Sequence, residues 1–326
     1  MIIRETEVVN DNIYHFDLHQ FGMPYVTSAF YYWDGETCIL MDVGTSDDIR
    51  KVMRNLRKQK IPWHAVEGII LSHYHFDHGG GSTKIWREMQ KKNENFKIYV
   101  PEDTFSHLQD AQGHLKGAKT TFGDFVGRMK PAPEEAYEIV EKEKALPFET
   151  KDGSKLCLLK TPGHTADHCS PMLEKDGQCR FIFCGEAAGT LFHGSRLVSL
   201  PTSMPPHFNY ESYMNSLVKI MAQRPMSIGF CHFGAVHDES RKETASFLNE
   251  HYKYMKEFRQ KVQELYSEEP STRYVIENMP ESMWDDRVDP YFKKFDAALK
   301  FFQNLQVAIV YGMMIDLGLR KPKYEQ

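Results

Sequence analysis

A chain of 326 residues in which 41% are hydrophobic and 26% charged has enough apolar material for a full core and is not a disordered sequence. Its 40 basic and 45 acidic residues leave a net charge of −5, which removes the electrostatic case for a nucleic-acid partner and leaves small molecules as the natural ligands. The six cysteines are too widely spaced for a disulfide framework, the first residues carry no signal-peptide pattern, and no apolar run reaches the roughly 18 residues of a membrane span. A reduced, cytoplasmic protein with no membrane partner is the expectation.

Taken in order, the chain opens with β-rich sequence: Val8-Val9, residues 13–16, then residues 29–33 closed by the hairpin dipeptide Asp34-Gly35. The partner strand, residues 37–41, delivers Asp42 at its end. Ser46 or Asp47 is placed to cap a helix over residues 48–58, whose Ile49, Val52, Met53 and Leu56 share one face. A strand over residues 68–72 runs into His73-Tyr74-His75-Phe76-Asp77-His78 and three glycines, followed by a helix over 82–92 and a strand over 97–100. Residues 102–145 interrupt this rhythm, and so long an insertion serves either as a substrate lid or as a flap over a sheet edge.

Strands resume at residues 147–149, 155–160, 180–184 and 226–231. The last three lead to Pro162-Gly163-His164-Thr165, to Cys184-Gly185-Glu186 and to His232. From about Ser240 the apolar spacing turns helical, with Leu248, Tyr252, Met255, Phe258, Val262 and Leu265 in one run. Phe292, Phe295, Leu299, Phe302, Leu305 and Ile309 form another, beyond a polar connection over 268–289. This aromatic-rich tail leaves room for a homodimer.

The chemistry concentrates in the histidine run. Alternate side chains of an extended backbone point the same way, so His73, His75 and Asp77 can converge while the following turn brings His78 beside them. Three imidazoles and a carboxylate crowded at the end of a buried strand need a cation to offset their desolvation. Zinc takes such donors at about 2.0–2.2 Å, usually four at a time, so this set can divide between two ions. Zinc is the first expectation among divalent metals, and iron and manganese accept the same donors.

In this order and spacing, His73-x-His75-x-Asp77-His78, Pro-Gly-His164-Thr, Gly-Glu186, His232 and the upstream Asp42 resemble the metallo-β-lactamase-fold superfamily of hydrolases. The resemblance implies an α/β, four-layer αββα sandwich over residues 1–239, carrying the 102–145 insertion, with residues 240–326 as a helical C-terminal extension. It implies that His73, His75 and His164 hold a first metal, and that Asp77, His78 and His232 hold a second. Glu186 stands where the family usually has a bridging aspartate. Asp42, and His168 four residues after His164, fall behind the ligands as groups that orient them.

The implied reaction is attack by a metal-activated water on a carboxylic ester, thioester or lactone, with Asp77 both ligand and proton acceptor. The alternatives are a metal-binding regulatory protein with little catalysis and a β-lactamase side activity. Where lactonases of the superfamily carry a tyrosine, this chain has Gly189. His193 and His207 fall in a region able to line the pocket. Cys184 and Cys231 read as small core residues, and His107, His114 and His251 as structural or surface positions.

Overall fold

In the computed structural model, residues 2–3, 7–10, 12–191, 198–288 and 296–322 are described. His193, Phe292 and Phe295 lie outside the described residues. One sheet takes the strands β1 (Ile2–Ile3), which pairs far along the chain, and the group near the C-terminal half; the other is built almost entirely from the first 140 residues. That second sheet contains β2 (Glu7–Asn10), β3 (Ile13–Asp17), β4 (Ser28–Trp33) and β5 (Cys38–Met41), then, after helix α1 (Ile49–Lys58), β6 (Val66–Ile70). Helix α2 (Ser82–Met89) leads to β7 (Lys97–Val100), and α3 (Glu102–Gln109) and α4 (Gln112–Phe122) precede β8 (Tyr137–Ile139). The seven strands lie in sequence order from β2 to β8. β2 to β5 pair antiparallel, and β5 to β8 run parallel through helical crossovers.

The other sheet has the order β1-β13-β12-β11-β10-β9, from β9 (Lys155–Lys160), β10 (Cys169–Lys175), β11 (Gln178–Phe183), β12 (Ser227–Gly229) and β13 (Ala235–His237), with α5 (Tyr210–Ala222) crossing between β11 and β12. Strand alternation builds the layers. Phe30 and Tyr32 of β4 meet Phe181 and Phe183 of β11 between the sheets, while Ala29 and Tyr31 face the opposite way. The outward side of the first sheet is covered by Val52 and Leu56 of α1 and Ile85 and Met89 of α2. Leu217 and Ile220 of α5, with Phe247 and Leu248 of α6 (Lys242–Glu268), cover the second. Four layers, αββα, follow from those two faces, as the sequence predicts.

The tail forms α6, the short α7 (Thr272–Glu277) and α8 (Asp296–Asp316), sharing a core with Val26, Phe208 and Tyr213 of the body. Gly312 explains how closely α8 docks: a Cβ there would lie 2.0 Å from the carbonyl oxygen of Ser203, whose hydroxyl donates to the carbonyl of Ile309 at 2.8 Å. Ala298–Asp316 is long and apolar enough to cross a membrane by length and composition, with mean hydropathy 1.2, contrary to the expectation that no segment would be. In this fold 56% of that stretch is buried, because it serves the tail core and a cavity wall.

Several elements depart from the sequence reading. Residues 147–149 form no strand; Leu146 instead makes one bond to Leu156 and Phe148 folds back on the carbonyl of Leu146. The 102–145 insertion contributes β8 to the sheet edge and α4 to a cavity wall, so flap and lid are different parts of one segment. β10 escapes the sequence reading because it contains Pro171, which argues against an inner strand. Pro171 is tolerated since pairing with β11 begins only at Met172. The cap of α1 falls at Asp48 rather than Ser46 or Asp47, and its carboxylate accepts from the backbone and hydroxyl of Thr45 at 2.9 and 2.7 Å.

The tail is held by aromatic packing: Phe258 is fully buried and its ring stacks on Trp284 with centroids 5.7 Å apart. Phe258→Ala is therefore expected to destabilise the protein by about 3–5 kcal/mol. A denaturant titration showing a loss under about 1 kcal/mol would contradict a tail packed as a core.

Candidate metal centre

The histidine run leaves the C-terminal end of β6, in the middle of the parallel strands, where the chain must turn away from the sheet. His73, His75, His164 and Glu186 present donor atoms that all lie within 4.8 Å of one another. His78, Glu186, Cys231 and His232 form a second such group. Asp77 joins it, its Oδ2 lying 3.4 Å from Nε2 of both His78 and His232. The two predicted triads are thus brought together, and Glu186 belongs to both. Its Oε2 contacts His164 Nε2 and lies 3.4 Å from His73 Nε2, while Oε1 lies 3.9 Å from His232 Nε2.

Hydrogen bonds behind the cluster set which nitrogen each imidazole presents. Ser72 Oγ donates to Asp42 Oδ2 at 2.7 Å, so it can only accept from His73 Nδ1 at 2.9 Å, which leaves the lone pair of His73 on Nε2. His164 Nδ1 donates to the carbonyl of Thr202 at 2.7 Å and His232 Nδ1 to that of Val26 at 2.8 Å, again leaving the lone pair on Nε2, which in His164 faces His75 Nδ1 at 3.0 Å. Asp42 also lies 3.5 Å from His78 Nδ1 and takes the backbone N–H of Ser72 at 2.8 Å. His168 Nε2 accepts the N–H of Glu186 at 3.1 Å, so that nitrogen is engaged and His168 orients rather than ligates. Asp42 and His168 therefore contact the cluster's residues from behind.

Electrostatics follow from burial. His73 is pushed down to about 3 by desolvation, which fixes it as the neutral imidazole that a metal requires. Burial alone would raise Asp77 and Glu186, yet the surrounding histidines hold both well below the usual carboxylate range. Burial also pulls His78 down, but the carboxylates of Asp77 and Asp42 outweigh it and lift His78 to about 9. The His78 imidazolium is thus buried beside ionised carboxylates. His73 Nε2 and both ring nitrogens of His78 are buried without a hydrogen bond. Orphaned nitrogens of this kind, beside buried carboxylates, fit divalent cations.

Four residues of the site were not legible in the sequence. His114, from α4, stacks on His75 with ring centroids 4.8 Å apart and accepts the N–H of Phe76 at Nε2. His107 stacks on Tyr74 at 4.2 Å. Cys231 is a buried core residue as expected, and its sulfur also reaches the second donor group. Asp167 is fully buried and accepts from Tyr74 N at 3.2 Å, Thr104 Oγ1 at 2.9 Å and Thr165 Oγ1 at 2.6 Å, tying the His73–His75 loop, α3 and the His164 turn to one carboxylate. His207 is exposed, and His251 is buried against Tyr213, their Nε2 and OH 2.7 Å apart.

A family profile described as the metallo-beta-lactamase superfamily matches residues 22–232, well over half of the chain, and ends on His232. This chain belongs to the metallo-β-lactamase superfamily. Metallo-beta-lactamase fold-containing protein ST1585 of Sulfurisphaera tokodaii is 29% identical over 198 residues, covering 58% of this chain and 66% of that protein. The hydroxyacylglutathione hydrolase of Buchnera aphidicola subsp. Schizaphis graminum is 29% identical over 163 residues, covering 50% of this chain and 46% of that enzyme. In both cases the match spans less than two thirds of the relative. The solved structure of the metallo-beta-lactamase family protein TTHA1429 from Thermus thermophilus superposes with a TM-score of 0.61 over 94% of this chain and 93% of its own, at 15% identity, a likeness of fold alone.

Superfamily members hold divalent metals, and here His78 gives metal affinity a defined pH dependence. Its proton must leave before a metal binds, so the apparent dissociation constant is expected to tighten about tenfold per pH unit up to about 9. Competition with a chromogenic chelator at three pH values between 6.5 and 8.5 measures this, and a flat profile would contradict it. In the same assay Asp167→Ala is expected to weaken binding by about 10–100-fold while circular dichroism stays that of a folded chain.

Proposed function

We propose that this protein is a hydrolase, carrying two divalent ions, that cleaves carboxylic esters or thioesters of small molecules, with lactones as the less favoured substrates. The observation that carries the reading is Glu186, whose two carboxylate oxygens face different histidine groups while the cluster opens onto a cavity of about 800 Å³. Glutamate is one methylene longer than the family's usual aspartate, and that reach suits a residue spanning both groups. Relatives named hydroxyacylglutathione hydrolase support cleavage of an acyl compound.

When bound, the ions would lower the pKa of a coordinated water and polarise the scissile carbonyl. The chain's own residues do the remainder. Asp77 has the most exposed of the cluster's carboxylates, 16% against 5% for Glu186, and so reaches the cavity where it can accept the water's proton. His114 is pushed down to about 4 by burial and is neutral; with Nε2 accepting from Phe76, its proton sits on Nδ1 as a donor at the cavity wall. The walls supplied by α4 and α8 flank the space open to the reacting carbonyl.

The position where lactonases of the superfamily carry a tyrosine supports favouring esters and thioesters over lactones. Gly189 has φ 78°, and a Cβ there would lie 2.5 Å from His251 Cε1, so no side chain fits. His251 fills that space.

Protein purified without added metal is expected to hold about two ions per chain by plasma mass spectrometry, falling to one or fewer in Glu186→Gln. Wild type is expected to turn over 4-nitrophenyl acetate and a simple aryl thioester, and His75→Ala to lower kcat/KM by about 10³-fold or more. A fully metal-loaded wild type inert toward esters and thioesters alike would overturn the reading and favour a metal-binding regulatory protein.

A further inference from the structure

The cavity over the metal cluster is chemically lopsided. Its floor carries His75, Asp77, Glu186 and His232, and one long wall is the face of α8 from Phe301 to Ile315. At 1.5 Å per residue that wall is about 21 Å long. Around Phe301 the cavity is aromatic: Phe301 packs on Phe122 with centroids 5.6 Å apart, and Phe122 reaches Phe76 at 6.4 Å. Near Tyr311 and Ile315 it is lined instead by Arg320 and Lys321.

The backbone that carries Lys321 and the side chain of Arg320 are both fastened in place. Tyr311 donates its hydroxyl to the carbonyl of Lys321 at 2.6 Å, which fastens the segment after α8 back onto the helix. Arg320 Nη2 donates to the carbonyl of Pro270 at 2.7 Å, and its guanidinium lies 5.2 Å from the ring centre of Tyr266. Among the described residues neither Arg320 nor Lys321 forms an ion pair, in a chain whose acidic residues outnumber its basic ones. The cavity's carboxylates, Asp77 and Glu186, are both committed to the metal cluster. An unpaired guanidinium held at a cavity wall keeps several N–H donors free for an anion.

The floor is tied to this wall between its two ends. Thr202 takes the Nδ1 proton of His164 and donates to the carbonyl of Glu186, and the next residue, Ser203, is bonded to Ile309 of α8. A carbonyl seated over the cluster therefore has the aromatic end on one side and the cationic end on the other.

We infer that the substrate is an amphiphilic ester or thioester, with an apolar or aromatic arm lying toward Phe122 and Phe301 and an opposite arm ending in a carboxylate or phosphate bound by Arg320 and Lys321. This rests on the hydrolase reading above and adds the substrate class. An extended chain advances about 1.2 Å per bond, so the whole wall accommodates at most about 17 bonds.

The test uses phenyl thioesters of α,ω-dicarboxylic acids, half-acids of increasing length, against methyl-terminated thioesters of the same length. In the metal-loaded protein the charged series is expected to be preferred at least tenfold in kcat/KM at one or more lengths below about 17 bonds. The preference should fall toward one in the double variant Arg320→Gln, Lys321→Gln. Calorimetry supplies a readout independent of turnover: 8-phenyloctanoate is expected to bind at least tenfold tighter than 8-phenyloctanol, with the difference lost in the double variant. Equal treatment of charged and neutral chains, or a preference that survives the double substitution, would overturn the inference while leaving the hydrolase reading intact. Selective anion binding that needs Arg320 and Lys321, without turnover of any ester or thioester, would uphold the anion site and remove the hydrolase reading.

Discussion

Burying two ionised carboxylates among five imidazoles is the constraint from which the rest of this structure follows. Asp77 and Glu186 stay charged in a place where desolvation opposes charge. Buried carboxylates crowded with ring nitrogens that have no hydrogen-bond partner are a demand for cations. Five strand ends must therefore converge on one rim, and the αββα layering achieves this: β6 and β5 bring the histidine run and Asp42 from one sheet, while β9, β11 and β12 lead to His164, Glu186 and His232 from the other.

Convergence alone would leave the imidazoles free to rotate, and the supporting bonds remove that freedom. Asp42 does so from a strained position, with φ 53° in a non-glycine residue, which turns its carboxylate back onto Ser72 and His78. Thr202 and Val26 do the same for His164 and His232 with backbone carbonyls that accept from Nδ1.

The parts legible in the sequence are those encoded locally. The spacing of His73, His75, Asp77 and His78 is within one loop, and the strands with clean apolar alternation or a hairpin turn fall where the pattern places them. What escaped detection depends on contacts between distant residues. His114 reaches Phe76 across 38 positions and Asp167 reaches Tyr74 across 93, and neither carries a local signature. β10 was hidden by Pro171, whose position beyond the β11 pairing is a matter of register, not of composition. β8 is three residues long and gains its place only by lying beside β7. The aromatic spacing of the tail foretold helices, and which face of α8 lines the cavity is set by packing.

That last relation carries a consequence for how the site is organised. Residues 201–206 line the cavity, and within them Thr202 supports His164 and Glu186 while Ser203 is pressed against α8 at Gly312. The wall that meets the substrate and the bonds that orient the metal-facing donors therefore share a few consecutive backbone units. A shift of α8 by even an ångström must be absorbed by that segment, because the Ser203–Gly312 contact leaves no gap to close. Changes in cavity width and in the aim of His164 are then coupled mechanically, so substitutions on α8 far from the cluster act on the chemistry as well as on binding. The helical tail is in this sense part of the metal centre, and its aromatic core, by fixing where α8 lies, also fixes how His164 and Glu186 face each other.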